Sequence, residues 1–244
     1  MEYTDIEIDP KLSFGEFLLM PSNAFAHSAA RGIADGKSEN SPLCLFSESG
    51  CGKTHLLNAI ANRYRELNPE KKVVLTSVVR MIENYIAALQ DGKIAEFRQR
   101  YRSADVLLID DLEALEKPKQ FQGELFNTIN AMLSEKKLLV FASDQCPTRL
   151  DLAERLIARI ASGLVVEIEK FTPGGRIEFL KYQFQKSGVA VSDTNLALIA
   201  GSVVGNGAEL MRAVKAVRFA SEPNDGEATK VCIRKALASC GVEI

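Results

Sequence analysis

One segment of this chain has the residue types of a phosphate-binding loop. Residues 47–54 read Ser-Glu-Ser-Gly-Cys-Gly-Lys-Thr and follow the apolar run Leu43–Phe46. The backbone N–H groups of such a glycine-rich turn, together with the N-terminus of the helix after it, can surround a phosphate chain. The Lys53 ammonium would reach the terminal phosphates, and the Thr54 hydroxyl would ligate magnesium. We expect the phosphates to lie against Ser49, Gly50, Cys51, Gly52, Lys53 and Thr54.

A serine stands where this kind of loop usually begins with a glycine. Ser47 fits that place only if its backbone φ is negative, because residues with a side chain disfavour positive φ. A strand-to-helix turn that contains Gly and Lys also occurs as an ordinary connection between two elements. The functional interpretation therefore needs support from a second group of residues.

That support comes from a second apolar run, Val106–Ile109, which ends in two carboxylates. A short, continuously apolar, β-branched run is typical of a buried parallel strand. Asp110 and Asp111 follow at its C-terminal end, where open α/β sheets place their ligands. Asp110 would hold the magnesium, and Asp111 would orient or deprotonate an attacking water. Without the upstream loop, the same two acids would be interpreted as a solvated strand end.

Two further polar groups fit the same chemistry. The apolar run Leu138–Ser143 is followed by Asp144, whose side chain would position water near the terminal phosphate. Arg155 and Arg159 are four residues apart and therefore lie on one face of a helix. An arginine in such a place can reach the phosphates of a neighbouring subunit, although spacing alone favours a solvated surface.

Composition excludes several classes of protein. The 244 residues carry a net charge of −2, so the chain as a whole is not a basic DNA-binding protein. Local basic runs, such as Arg98–Arg102, are more typical of solvated helix faces. No apolar run is long enough to span a membrane, and the N-terminus has no signal-peptide pattern. The five cysteines form no CxxC pair, which predicts reduced thiols in a cytoplasmic protein.

Strand and helix patterns alternate over the first two thirds of the chain. This alternation predicts an α/β fold with a five-stranded parallel sheet and helices on both faces. Two helical segments, near 79–89 and 93–101, occupy a connection where one crossover helix would suffice. After Phe171 the strand pattern stops and the apolar spacing becomes helical. We therefore expect a nucleotide-binding αβα domain over residues 1–171 and a helical lid domain over residues 172–244.

Together these segments resemble the AAA+ P-loop NTPase module of the bacterial DnaA family of replication initiators, which includes the shorter regulator Hda. The resemblance covers nearly the whole chain. It is carried by 21–27 (Pro-Ser-Asn-Ala-Phe-Ala-His), 52–57 (Gly-Lys-Thr-His-Leu-Leu), 97–102, 105–111, 124–131 and 154–159 (Glu-Arg-Leu-Ile-Ala-Arg). It implies that Asn23 lies in the segment against adenine and that His55 belongs to the loop. It also implies that Arg159 is an arginine finger and that 79–101 is an initiator-specific insertion.

Some positions depart from the family pattern. Ala208 stands where the lid helix of the family carries a nucleotide-sensing arginine, which puts hydrolysis in doubt more than binding. The Asp111 side chain is shorter than the glutamate of fast AAA+ motors, so any hydrolysis is expected to be slow. No segment resembles the recognition helix of a helix-turn-helix domain, so we expect no sequence-specific binding of duplex DNA by this chain.

The resemblance implies a function in the initiation of chromosomal DNA replication or in its regulation. The cofactors would be ATP or ADP with Mg²⁺. The expected partners are a second copy or a full-length initiator, bound through the ATP face, and single-stranded DNA; no membrane partner is expected. The alternatives left open are an Hda-like regulator, a non-catalytic nucleotide-dependent scaffold and a replicative helicase loader.

Overall fold

The structure is a computed structural model. The chain forms two compact units, each with more contacts within itself than with the other. The first unit comprises Met1–Ser47 and Lys53–Ile168, and the second comprises Glu48–Gly52 and Glu169–Ile244. Within these bounds the described residues are 3–37, 39, 41–117, 119–203, 205–222 and 226–242.

The first unit is built on a parallel sheet of five strands in the order β2-β3-β4-β1-β5. This confirms the fold class predicted from the apolar runs. The strands are β1 Leu43–Phe46, β2 Val73–Ser77, β3 Val106–Asp110, β4 Leu138–Ser143 and β5 Leu164–Glu167. In the register of the sheet, Asp110 pairs with Ser77, and Phe46 pairs with Ser143. The carboxyl ends of these strands therefore meet at one edge of the sheet.

Helices of the first unit cover both faces of this sheet. They are α1 Ala24–Ala34, α2 Lys53–Leu67, α3 Val78–Gln90, α4 Ile94–Arg102, α5 Lys119–Ser134 and α6 Glu154–Ile160. Alternate strand residues such as Val74, Leu107 and Phe141 share one buried core with side chains of α3–α6. The strand residues that alternate with these point to the opposite face of the sheet, which α1 and α2 contact.

The two helices of the insertion are separate elements, as the sequence predicts. The Ser77 side chain caps α3 by accepting a hydrogen bond from the Arg80 N–H at 3.4 Å. Gly92, with a φ of 68°, lies in the turn between α3 and α4. A positive φ of this size favours glycine, so the backbone requires a glycine in the turn that follows α3.

A buried carboxylate fixes α4 against α5. Glu124 is 5% exposed and accepts hydrogen bonds from Arg98 at 3.0 and 2.8 Å and from Arg102 at 2.7 Å. Burial alone would raise the pKa of Glu124, but the hydrogen bonds and charges of the two arginines outweigh it and lower that pKa. Glu124 therefore stays ionised and holds both guanidinium groups.

The second unit is helical and has its own apolar core. Its helices are α7 Pro173–Ser187, α8 Asp193–Ser202, α9 Gly207–Ser221 and α10 Lys230–Ser239. At the start of α9, Asn206 and Glu209 form a capping box, in which each side chain accepts a hydrogen bond from backbone of the other residue. Among the described residues of both units, none of the helices has the length and apolar character needed to cross a bilayer.

We predict that Glu124→Ala destabilises the protein by about 2 kcal/mol, because it leaves two partly buried arginines without their anion. Urea denaturation would measure the loss. Glu96→Ala is the matched control, because Glu96 is an exposed acid of α4 whose side chain makes no hydrogen bond or ion pair within the described residues. Equal free energies of unfolding in the two variants would contradict a structural role for the Glu124 pairs.

Candidate functional site

The loop between β1 and α2 has the backbone conformation that its glycines allow. Gly50 has a φ of 81° and Gly52 a φ of 103°, values that residues with a side chain rarely adopt. Ser47 is not among the described residues with positive φ, so it meets the condition set by the sequence. A serine at the first position therefore leaves the course of the loop intact.

Ser47 also contacts the loop lysine directly. The Lys53 ammonium donates a hydrogen bond to the Ser47 carbonyl at 2.5 Å, and the Ser47 hydroxyl lies 3.4 Å from the same nitrogen. Ser47 is 3% exposed, so this end of the lysine is held inside the protein. A glycine would supply the carbonyl but not the hydroxyl contact.

The loop helix and the acidic strand are joined by one short hydrogen bond. The Thr54 hydroxyl donates to Asp110 Oδ2 at 2.8 Å, and Asp110 is 6% exposed. A hydroxyl and a carboxylate oxygen are ligands that Mg²⁺ accepts. Among the described residues, no three His, Cys, Asp or Glu side chains are arranged to hold a metal ion. The pair therefore fits a magnesium ion that takes its other ligands from phosphates and water, which is how Mg²⁺ usually binds at nucleotide sites.

Asp111 lies next to this pair in an unusual backbone conformation. Its φ of 57° and ψ of 49° are left-handed, which is uncommon for a residue other than glycine. Desolvation raises the pKa of Asp111, and the nearby carboxylates of Asp110 and Glu113 raise it further, while Lys53 lowers it. Asp144 is a further carboxylate close enough to raise this pKa. The structure thus brings Lys53, Thr54, Asp110, Asp111 and Asp144 together, as the sequence predicts.

Sequence reasoning missed Glu113, which braces the turn after β4. One of its carboxylate oxygens accepts hydrogen bonds from the Ser143 hydroxyl at 3.3 Å and from the Asp144 N–H at 3.0 Å. Glu113 thereby ties the turn after β3 to the residue expected to position water. The only signal in the sequence was a third acid shortly after Asp110-Asp111, which spacing alone does not connect to β4.

The side chains of Asn23 and His55 both bind the segment that precedes α1. Asn23 is 3% exposed; its side chain accepts from the Met20 N–H at 2.9 Å and donates to the Leu18 carbonyl at 3.0 Å. The His55 Nε2–H donates to the Ser13 carbonyl at 2.8 Å. Both side chains therefore fix the course of the segment that precedes α1.

The two arginines of α6 differ in their surroundings. The Arg155 guanidinium lies over the Phe126 ring, 5.0 Å from its centroid. Arg159 is exposed, and its side chain makes no hydrogen bond or ion pair with any described residue. Only Arg159 is therefore available to a group outside the chain without breaking a contact.

Within the second unit, Gly50 of the glycine-rich loop lies against the start of α9. A Cβ on Gly50 would be 2.9 Å from the Cβ of Ala208, and a Cβ on Gly207 would be 2.6 Å from the Gly50 carbonyl. Glycine is therefore required at both positions by close approach. Arg212, one turn further along α9, is exposed.

These features define a class of protein. A parallel sheet in the order β2-β3-β4-β1-β5, with a glycine-rich loop after β1 and paired aspartates after β3, is the AAA+ P-loop NTPase fold. Residues 8–167 match the family model of the bacterial DnaA ATPase domain. The chain belongs to the bacterial DnaA family.

Comparison with known proteins agrees with this assignment. Over 221 residues the chain is 35% identical to the chromosomal replication initiator protein DnaA of Deinococcus radiodurans, covering 89% of this chain and 47% of that protein. Over 236 residues it is 34% identical to the DnaA of Thermus thermophilus, covering 95% and 54%. The chain thus spans about half the length of the curated relatives it matches.

Solved structures of DnaA share the fold. Domain III of the Thermotoga maritima replication initiation protein DnaA matches with a TM-score of 0.89 at 27% identity, over 96% of this chain and 98% of that chain. AMPPCP-bound DnaA from Aquifex aeolicus matches with a TM-score of 0.83 at 25% identity, over 89% and 68%. A replication initiator DnaA bound to AMPPCP and single-stranded DNA matches with a TM-score of 0.81 at 25% identity, over 89% and 69%.

We predict that acid destabilises the protein partly through His27. Burial lowers the pKa of this imidazole and the Arg31 charge lowers it further, so the folded state favours the neutral ring. The stability that this provides is complete above the unfolded-state pKa of about 6.5 and is lost as pH falls through the lower folded-state pKa. Thermal unfolding at pH 7.5 and 5.5 should therefore show a smaller difference in His27→Gln than in the parent. An equal pH dependence in both proteins would rule out this contribution.

Proposed function

We propose that this chain binds ATP or ADP with magnesium and acts in the initiation of chromosomal DNA replication or in its regulation. The observation that carries the proposal is the 2.8 Å hydrogen bond between Thr54 and Asp110. It joins the phosphate loop to the acidic strand and places two oxygen ligands side by side. Membership of the DnaA family and the AMPPCP-bound neighbours support the same conclusion.

Each residue has a distinct role in this proposal. The N–H groups of residues 49–52 and the Lys53 charge hold the phosphates, and Asn23 and His55 shape the segment against the base. Thr54 and Asp110 hold magnesium, which would neutralise phosphate charge when bound. Asp111 and Asp144 position water, and Glu113 keeps Asp144 in place.

Assembly would use the exposed arginine of α6. Arg159 is unpaired within the described residues, so it can pair with the nucleotide of a second copy or of a full-length initiator at no cost to the fold. A guanidinium supplied to a neighbour's phosphates stabilises charge that develops during phosphoryl transfer. We propose that this contact orders the assembly.

A non-catalytic scaffold is a second candidate, and Ala208 favours it. The methyl group of Ala208 lies beside the loop glycine but cannot donate a hydrogen bond to a phosphate. Bound nucleotide would then fix the conformation of the protein without rapid turnover. Both candidates, the slow ATPase and the scaffold, are DnaA-type proteins. The match to the DnaA family model favours both of them over a helicase loader.

Calorimetry with ATP and ADP tests nucleotide binding. We predict that Lys53→Ala weakens binding at least about 100-fold, because it removes the cation that contacts the terminal phosphates. Asp110→Asn should retain nucleotide but lose the dependence of affinity on Mg²⁺. Arg155→Ala, outside the loop and the acidic strand, is the control. No binding heat from either nucleotide, or parental affinity in Lys53→Ala, would overturn the proposal.

Hydrolysis measured with and without full-length initiator separates the two candidates. We predict that the parent hydrolyses ATP slowly and that Asp111→Asn lowers the rate at least about tenfold, because the carboxylate no longer orients water. Arg159→Ala should bind nucleotide normally but lose any stimulation in the mixture, whereas Arg155→Ala should keep it. Identical residual rates in the parent, Asp111→Asn and Arg159→Ala would leave only the scaffold.

A further inference from the structure

The helix that carries Arg159 has no cap within its own sequence. α6 begins directly after Ala153, and an alanine side chain cannot accept a hydrogen bond from the first N–H groups of a helix. The backbone of Ala153 is held by another element, because its N–H donates to the side-chain oxygen of Gln122, in α5, at 2.9 Å. The start of α6 is therefore fixed from α5 rather than by a cap.

The carboxamide of Gln122 also binds the connection that follows β3. Its nitrogen donates to the Leu115 carbonyl at 3.1 Å, and Gln122 is 4% exposed. The two ends of one buried side chain thus hold two elements, the connection after β3 and the start of α6. A buried polar group that loses its partner is left unsatisfied, so neither hydrogen bond breaks without cost. A displacement of the Leu115 carbonyl is therefore passed to Ala153.

Exposed contacts run beside the Gln122 link and are weaker. The Asp151 N–H donates to the Glu116 carboxylate at 2.8 Å, and the Asp151 carboxylate pairs with Lys119 at 2.6 Å. The side chains of Lys119 and Asp151 are largely exposed, and ion pairs in water contribute little. Gln122 is therefore the member of this group that sets the position of α6.

A strained residue lies where this connection leaves β3. Asp111 has a left-handed backbone, which is unfavourable for a residue with a side chain and recurs in switch regions. A single turn of 3-10 helix, Leu112–Leu115, follows it, and the Ala114 N–H donates to the Asp111 carbonyl at 3.0 Å. A change of backbone at Asp111 therefore moves the carbonyl that Gln122 binds.

Nucleotide binding would change the charges around Asp111. Its charged neighbours include the carboxylate of Asp110 and the ammonium of Lys53. Under the proposed function, Lys53 pairs with phosphate and Asp110 with magnesium, so both neighbours interact with new charges. Such interactions are strong in a partly buried site. Coupling between two sites requires an element with two arrangements, and Asp111 with the turn after it meets that requirement.

We propose that Gln122 is a positioning residue that links the ATP site of this chain to the arginine offered to a neighbour. Nucleotide shifts Asp111 and the 3-10 turn, the Gln122 carboxamide passes the shift to α6, and Arg159 is then held where it reaches the neighbour's phosphates. The inference rests on the proposed function and deepens it. It gives the chain a response to nucleotide that does not need the lid arginine, whose place Ala208 takes.

Hydrogen exchange of the full chain, with and without saturating ATP and Mg²⁺, tests the link directly. Nucleotide should slow exchange of the Ala153 amide and of the first-turn amides of α6, Leu156 and Ile157, at least about twofold. In Gln122→Met, which has a similar volume but no hydrogen-bonding group, nucleotide should leave these rates unchanged. A purely structural residue would raise exchange in α6 and keep the response to nucleotide, and that outcome would overturn the proposal.

Asn127→Met is the matched control, because Asn127 is an exposed carboxamide of α5 whose side chain makes no hydrogen bond or ion pair within the described residues. It should keep the parental response of α6, and loss of the response in this variant as well would overturn the proposal. The parent alone also gives a decisive result that does not depend on the folding of any variant. If the parent binds ATP and its α6 exchange does not change, Gln122 transmits nothing.

Stimulation of ATP hydrolysis by full-length initiator tests the consequence for a neighbour. Gln122→Met should bind ATP within about twofold of the parent but lower the stimulation at least about tenfold, because a small misplacement of a catalytic group costs this much. Asn127→Met should keep the parental stimulation. Parental stimulation by Gln122→Met, or none by the parent, would overturn the inference. Calorimetry on the parent separates this failure from that of the nucleotide function, because only the latter abolishes the binding heat.

Discussion

The hydrogen bond between Thr54 and Asp110 is the contact on which the site depends. It forms because β1 and β3 are parallel and end at the same edge of the sheet, so that the helix after one strand meets the carboxylate of the other. The register of the sheet brings these two residues together, and the burial of the apolar strand residues fixes that register. Moving β3 by one residue would turn Asp110 to the other face, and the two oxygen ligands would separate.

Much of the fold could be predicted because buried parallel strands are continuous apolar runs. Each of the five runs became a strand of the sheet, and the Asp-Gly pair after α3 marked the break before α4. The proximity of Lys53, Thr54, Asp110, Asp111 and Asp144 could also be predicted, since loop and strand ends are fixed by local patterns, but their roles in binding and catalysis stay predictions. The arginine-finger role of Arg159 stays a prediction.

The contacts that could not be predicted join residues far apart in sequence. The run Arg98–Arg102 was expected to be a solvated face, but Glu124 and Asp5 hold its three arginines. These acids lie 22 to 95 residues from the arginines in sequence, so no local sequence pattern identifies them as partners. Glu113 could not be predicted for the same reason, because its carboxylate links the turn after β3 to the turn after β4.

The extended N-terminal residues 3–9 have a physical consequence that concerns solubility. β2 is the outermost strand on its side of the sheet, and the bond from Ile6 to Leu75 satisfies a carbonyl that would otherwise be open. Unpaired outer strands recruit strands of other molecules and lead to aggregation. Protein whose first residues are displaced or clipped would be more prone to assemble through β2. The time that the protein spends with this strand uncovered would then limit the concentration at which it can be handled.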